Sequence, residues 1–290
     1  MRKIFGTLVF WVFLTGLVWA SGSGVSSTGS DPQQMLDFNL AGYGAQGQKT
    51  WEVEGASMDM LGDDINISDM RAKLYGNAED MTLTADSGQF DKQTGVVHLR
   101  DNVHAVTESG AHLDTDVLDW YQTDQRITSD DKVKITRENI TAVALGMDAQ
   151  SDFKEATFDK DVVLTLTDKK KGSSDIVEES SGLGVGQMVI TCDGPLELSY
   201  EKQKAVFHNN VKVDGGPDKG QMYADKMTVF FNTASKQMEK MEADGHVKIV
   251  RGENTSYSDS AVFLGAEKKV VLSGRPKLVI FTEEGFDVSP

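Results

Sequence analysis

The sequence predicts an all-β protein made of repeated β-hairpins, arranged as two lobes in tandem. Three observations carry this. Val211-Lys212-Val213, Val133-Lys134-Ile135 and Leu196-Glu197-Leu198 alternate with period two, which puts apolar side chains on one strand face and polar ones on the other. A unit opening on Asp and closing on a Val-centred strand recurs at intervals of about thirty residues. Gly (28) far outnumbers Pro (5), so the many turns are of the Gly/Asn/Asp kind. After residue 30 no window of ten or more residues holds a 3.6-residue period.

The first element is a targeting segment, 1–20. Arg2 and Lys3 give a positive start, Ile4 to Trp19 is an almost unbroken apolar run, and Val18-Trp19-Ala20 suits cleavage before Ser21. The run of 16 residues falls short of the ~20 that a spanning helix needs, which favours a cleaved export signal over a retained anchor. Either way the body is expected outside the cytoplasm. No cysteine lies near the site, so a lipid-anchored start is not expected. Residues 21–34, opening with SGSGVSSTGS, read as a flexible tether.

The hairpins follow. Trp51-Glu52-Val53-Glu54 and Ile65-Asn66-Ile67 alternate across a turn at Leu61-Gly62-Asp63-Asp64. Asp86 leads through Phe90 and the turn Asp91–Gly95 to Val97, Leu99 and Val103. Asp116 leads through Leu118 and Trp120 to Val133 and Ile135. Asp148 to Val162 is a weaker copy. Asp193 leads through Leu198 and Tyr200 to Val211 and Val213, Asp225 through Met227, Val229 and Phe231 to Val247 and Ile249, and Asp259 through Phe263 to Val271. Asp86 to Asp116 is 30 residues, Asp116 to Asp148 is 32, Asp193 to Asp225 is 32 and Asp225 to Asp259 is 34. The recurrent Asp is expected to cap turns or satisfy backbone N–H groups.

The gap from Asp148 to Asp193 is longer, 45 residues, and holds the linker 169–184, charged and rich in small residues. It separates a first lobe, 35–168, from a second, 185–290. Residues 31–168 carry 11 Lys/Arg against 27 Asp/Glu (−16), whereas 185–290 carry 13 against 15 (−2). The lobes are therefore not interchangeable copies. The whole chain is at −16, which argues against nucleic-acid binding, since phosphate binding is driven by Lys and Arg releasing counterions.

Nothing in the residues points to catalysis, a metal or a cofactor. Cys192 is the only cysteine, which excludes an intrachain disulfide framework and multi-thiolate metal sites. His98, His104, His112, His208 and His246 form no H-x-H or H-E-x-x-H pattern. His98 and His104 are expected in neighbouring strands. No G-x-S-x-G occurs, and Cys192 has no adjacent His. Gly182-Leu183-Gly184-Val185-Gly186 lacks the Lys-Ser/Thr ending of a phosphate loop. Asp63-Asp64 and Asp130-Asp131 lack the spacing of a calcium loop.

What remains is the apolar face. In the first lobe it is Val97, Leu99, Val103, Leu118, Trp120, Val133, Ile135, Val162 and Leu164. In the second it is Leu196, Leu198, Tyr200, Val211, Val213, Met227, Val229, Phe231, Val247, Ile249 and Phe263. Two readings stand. One is a filled core in a purely structural exported scaffold or adhesin. The other is an open sheet pair whose inner face holds an apolar ligand. A stack of hairpins also leaves two unpaired edges, which template further strands.

Several stretches resemble the LptC family of lipopolysaccharide-export bridge proteins. They are Trp51-Glu-Val-Glu-Gly55, Ala85-Asp-Ser-Gly-Gln-Phe-Asp91 with Thr94-Gly95, His98-Leu-Arg-Asp-Asn-Val103, Leu113-Asp-Thr-Asp-Val-Leu-Asp-Trp120 and Thr128-Ser-Asp-Asp-Lys-Val133. Tyr223-Ala-Asp-Lys-Met227 and Glu242-Ala-Asp-Gly-His-Val-Lys-Ile249 are similar to the LptA/OstA repeat. Together they span most of 35–285. The resemblance implies a twisted open β-jellyroll, non-enzymatic, with lipopolysaccharide acyl chains on the inner face. It implies inner-membrane ABC transporter subunits as partners on one side and LptA-like units, joined through edge strands, on the other. It implies a periplasmic body held by an inner-membrane anchor, which favours retention of residues 1–20. The chain departs from a single-lobe pattern by adding the second lobe, as a built-in bridge segment. Its negative charge sits against a phosphorylated lipid, so apolar contact must dominate: ~1,000 Å² of buried acyl surface is worth ~25 kcal/mol before entropic costs, against ~1 kcal/mol for a surface charge.

Overall fold

A computed structural model describes residues 33–44, 46–61, 64–76, 79–167, 187–216, 220–232 and 237–280. The expected targeting segment 1–20, residues 21–32 of the expected tether, the expected linker 169–184 and residues 62–63 and 233–236 lie outside the described residues. Every described residue belongs to one compact unit, Pro32–Pro290. No helix among the described residues is long and apolar enough to cross a membrane.

The chain is all-β, as the period-two alternation requires. Nine strands build the first half: β1 (Gln33–Tyr43), β2 (Lys49–Leu61), β3 (Asp64–Leu74), β4 (Met81–Asp91), β5 (Val96–Thr107), β6 (Ala111–Tyr121), β7 (Arg126–Arg137), β8 (Ile140–Gln150) and β9 (Glu155–Thr167). Eight build the second: β10 (Gln187–Cys192), β11 (Leu196–Ser199), β12 (Lys204–Asp214), β13 (Gln221–Asn232), β14 (Gln237–Arg251), β15 (Asn254–Leu264), β16 (Lys269–Ser273) and β17 (Lys277–Val279). From β1 to β9 each strand pairs antiparallel with the next.

The two halves join within the same sheet. One half of β9 pairs with β10, from Thr167↔Gln187 to Val162↔Cys192, and the other half with β11, from Phe158↔Leu196 to Glu155↔Ser199. β12 pairs with both from the opposite side. β10 and β11 are thus one bent line, interrupted at Asp193-Gly194-Pro195. The meander continues β12–β13–β14–β15, and β16 and β17 share the last line along β15.

Most strands are bent near their middle. Asp37, Asp69, Asp101, Asn102, Asp161, Asn209, Asn210 and His246 have φ between 46° and 63°, the left-handed region that Asp and Asn tolerate best. Pairing skips there, for example between Arg100 and Val103 and between His208 and Val211, as at a β-bulge. Burial follows the same plan. In β5, Val97 and Leu99 are buried, Asp101 and Asn102 are exposed, and Val103, Ala105 and Thr107 are buried again. The long strands bent in this way contribute apolar side chains on both sides of a polar crease.

Of the recurrent Asp residues, Asp86, Asp193, Asp225 and Asp259 stand at this crease and not at turn ends, whereas Asp148, two residues from the end of β8, accepts a hydrogen bond from Arg126 at the start of β7. Asp86 accepts a 2.6 Å hydrogen bond from Asn102 Nδ2, Asp193 accepts one from Asn210 Nδ2, and Asp225 pairs with His246 Nδ1 at 2.7 Å. Asp259 faces Arg275 at 3.6 Å. The reason is local: a bulge breaks the backbone ladder, and a short carboxylate on the neighbouring strand ties the kinked residue back. Gly245 precedes His246 at φ +78°, and a Cβ there would meet Asp225 Oδ2 at 2.3 Å, so the latch needs glycine for both torsion and space.

One further expectation is corrected. His98 and His104 lie in the same strand, β5, six residues and roughly 20 Å apart along an extended chain. Asp101-Asn102 is a bulge within a continuous strand. Each His instead faces β6, His98 Nδ1 at 2.8 Å from Asp119 and His104 Nδ1 at 2.7 Å from Asp114.

Candidate functional site

The pairing registers fix where the two halves of the sheet meet. Arg137 and Ile140 close the β7–β8 hairpin, and Ile140 pairs with Leu166 near the end of β9. Tyr200 follows Ser199, which pairs with Glu155 at the start of β9. Leu166 and Glu155 are eleven residues apart, roughly 35 Å along a straight strand. Yet the Arg137 guanidinium carbon lies 4.3 Å from the centre of the Tyr200 ring. The sheet must fold back on itself between these points, and β9 does so around Asp161, φ 53°. Two leaves result, with the apolar side chains between them and the hairpin turns along the two rims.

The interior is one apolar cluster, running from Phe38 in β1 to Ala261 in β15 across the junction of the halves. Of the residues expected on the inner face, Val97, Leu99, Val103, Leu118, Trp120, Val133, Val162, Leu164, Leu196, Val211, Val213, Met227, Val229 and Val247 are buried in it. Ile135, Leu198, Phe231, Ile249 and Phe263 are half-buried against it. Leu83, Leu99 and Leu113 of the first half are fully enclosed by protein atoms.

A cavity of about 190 Å³ opens at the junction. Its floor is Leu164 (β9), Ile190 (β10), Ala205 and Phe207 (β12) and Val229 (β13). Its walls are Ile140, Leu166, Leu198, Phe231 and Met238. Five residues of the expected row, Leu164, Leu198, Tyr200, Val229 and Phe231, come together here. Ile140, Leu166, Ile190, Ala205, Phe207 and Met238 extend it. The Lys204-Ala205-Val206-Phe207-His208 stretch carried the period-two signal that points Ala205 and Phe207 inward, whereas Ile190 sits in a short strand bounded by the linker.

Two polar residues meet across the mouth. Arg137 comes from the turn of one leaf and Tyr200 from the turn of the other. The Arg137 guanidinium stacks on the Tyr200 ring, and its Nη2 donates a 2.9 Å hydrogen bond to Ser109 Oγ. Such a half-buried cation–π contact contributes ~1 kcal/mol. Arg137 Nη1 is screened from solvent and makes no well-formed hydrogen bond. Phe231 meets the edge of the Tyr200 ring, centroids 5.6 Å apart at 70°. Burial pushes the Tyr200 phenol above its ordinary range, and the nearby Arg137 charge draws it partly back. Glu138 and Asn139 complete the rim beside Arg137.

Among the described residues the arrangement offers shape and apolar surface with one cation at the entrance. It offers no nucleophile–base pair: burial raises the Cys192 thiol, and the His98 and His104 rings are occupied by Asp119 and Asp114. Among the described residues no group of three His, Cys, Asp or Glu side chains is placed to hold a metal.

Comparison with known families supplies the chemical context. A family model described as lipopolysaccharide-assembly, LptC-related, matches residues 8–166, more than half of the chain. A second, described as LptA/(LptD N-terminal domain) LPS transport protein, matches residues 194–288. No match is found among curated proteins. The cavity is lined from both matched segments.

Proposed function

The chain belongs to the LptC-related lipopolysaccharide-assembly family and carries an LptA-like second half, which supports a role in lipopolysaccharide transport, and we propose that it acts as a non-enzymatic conduit. The acyl chains travel on the inward apolar face. They arrive from inner-membrane ABC transporter subunits and leave toward LptA-like units. The body stands in the periplasm, held by residues 1–20. The lobes are 35–168 and 185–290, with 169–184 between them.

One observation supports this reading most strongly. The apolar interior runs without interruption from one family segment into the other, because β9 is hydrogen-bonded directly to β10 and β11. Two separate lobes would each need an exit and an entrance, and a shared sheet needs neither. The first and last lines, β1 and β16–β17, also keep an unpaired side among the described residues. They expose Leu36 and Tyr43 at one edge and Val271 and Leu278 at the other, suited to strand addition.

The test is lipid co-purification. The full chain is isolated from lipopolysaccharide-producing cells and examined by native mass spectrometry and lipid extraction. Lipopolysaccharide accompanies the wild type, and Phe231→Asp in the half-buried cavity wall lowers its occupancy ~tenfold in a folded protein. Val133 is fully buried, so Asp there would unfold the protein and is no probe of the path. A folded F231D that loads like wild type contradicts the path. The closed packing around Leu83, Leu99 and Leu113 favours a second reading, a structural envelope scaffold. A lipid-free protein that also refuses added lipid supports that one.

A further inference from the structure

We propose that Arg137 reads the anionic head group of the lipid at the lobe junction, making the cavity a station for one acyl chain of a phosphorylated lipid. This rests on the conduit reading and adds to it a place and a residue.

Three observations point there. First, the cavity is the size of a chain segment. At about 190 Å³ it exceeds the ~150 Å³ of an apolar cavity that takes benzene, and it is far too small for a multi-acyl lipid. A segment of one tail fits, and the rest of the molecule must stay at the rim. Second, the rim presents a cation with spare donor capacity. Arg137 Nη2 is used by Ser109, but Nη1 has no well-formed hydrogen bond and is kept from water by the fold. A guanidinium fork with one arm satisfied matches a phosphate oxygen well, and Lys would reproduce its charge but not its geometry. Third, the position is unusual in charge. Residues 31–168 carry −16, so an anionic lipid meets repulsion along most of this half. Among the described residues Arg137 is the only cation lining the cavity, with Glu138 the one acidic residue on the rim. A phosphate there gains charge complementarity at the place where the tail gains an apolar site.

The geometry also couples head to tail. Arg137 and Tyr200 come from opposite leaves, so their stack bridges the mouth of the cavity that Leu166 and Phe231 line. An anion that draws the guanidinium away from Tyr200 opens the way for the chain attached to it. A neutral amphiphile has no such means of opening the clasp.

The test uses the full chain with two soluble probes that differ only in the head: octyl phosphate and octanol. Binding is followed by NMR of the Ile140, Ile190 and Met238 methyl groups. Wild type is expected to bind octyl phosphate roughly tenfold tighter than octanol, the range of a charge-assisted hydrogen bond. Arg137→Gln removes that preference and leaves octanol affinity unchanged or higher, and Arg137→Lys restores part of it. Inorganic phosphate alone leaves the cavity methyls unshifted.

Equal affinity for the two probes in wild type overturns the proposal. So does an R137Q variant that weakens both probes alike, which would make Arg137 a structural strap only. If neither probe reaches the cavity while lipopolysaccharide still co-purifies, this inference fails and the conduit reading survives. If lipopolysaccharide is absent as well, both fall.

Discussion

Asp225 does two jobs at one crease, and both can be measured. It accepts from His246 Nδ1 at 2.7 Å, and this hydrogen bond raises the His246 pKa above 6.5. The sign follows from linkage. The protonated imidazolium is favoured in the folded state, so this contribution to stability is fully present below the unfolded pKa and is lost as pH rises through the folded one. An NMR titration should give His246 an elevated midpoint that falls in Asp225→Asn. An unchanged midpoint would mean that the pair does not form in solution. Asp225 also fills the space over Gly245. Gly245→Ala puts a methyl 2.3 Å from the carboxylate at φ +78°, whereas Gly95, at φ +71°, has nothing within 4 Å of an added Cβ. Denaturant unfolding should show Gly95→Ala costing ~1 kcal/mol and Gly245→Ala ~2–3 kcal/mol. Equal costs would remove the steric part of the argument.

At the scale of the element, alternation made the strands legible and the bulges hid their bends. Val97, Leu99, Val103, Leu118 and Trp120 read as one apolar row from period two alone, and all are buried together. The Asp101-Asn102 pair, of residue types that favour turns, stands between His98 and His104, which are expected from the sequence in neighbouring strands. In fact β5 runs through it, which is why His98 and His104 share a strand. The repeated Asp was visible as a repeat, but its partners Asn102, Asn210, His246 and Arg275 lie 16 to 21 residues away and differ in type. Only the folded crease shows that they fill the same role. β12 carries the junction, and Phe207 is its fully buried anchor between β11 and β13. Phe207→Ala should destabilise the protein by ~3–5 kcal/mol, while Leu36→Ala on the exposed edge should stay within ~0.5 kcal/mol. Urea unfolding separates the two. A mild Phe207→Ala would mean that the junction packs more loosely than its burial indicates.

At the scale of the whole molecule, the contact between Arg137 and Tyr200 was beyond the sequence. The two are 63 residues apart across the linker, and neither belongs to a motif. Their meeting depends on how far each strand bends, a quantity that alternation does not encode. The longer Asp148–Asp193 interval and the change in charge suggest two lobes, and neither signal reveals the hydrogen-bonded seam through β9 that joins the halves in one sheet. That seam has a thermodynamic consequence. A sheet shared across the junction, with one apolar cluster, should unfold in a single calorimetric transition, and two resolved transitions would mean weak coupling between the halves. Its functional consequence is the continuous path, which photo-crosslinking in living cells tests most directly. A benzoylphenylalanine replaces Ile135 in the first half, Leu166 at the junction and Ile249 in the second, with the exposed Lys134 as an outward control. Lipopolysaccharide adducts at all three inward positions, and none at Lys134, are the result expected of one conduit. Adducts confined to one half, or as frequent at Lys134, would contradict it.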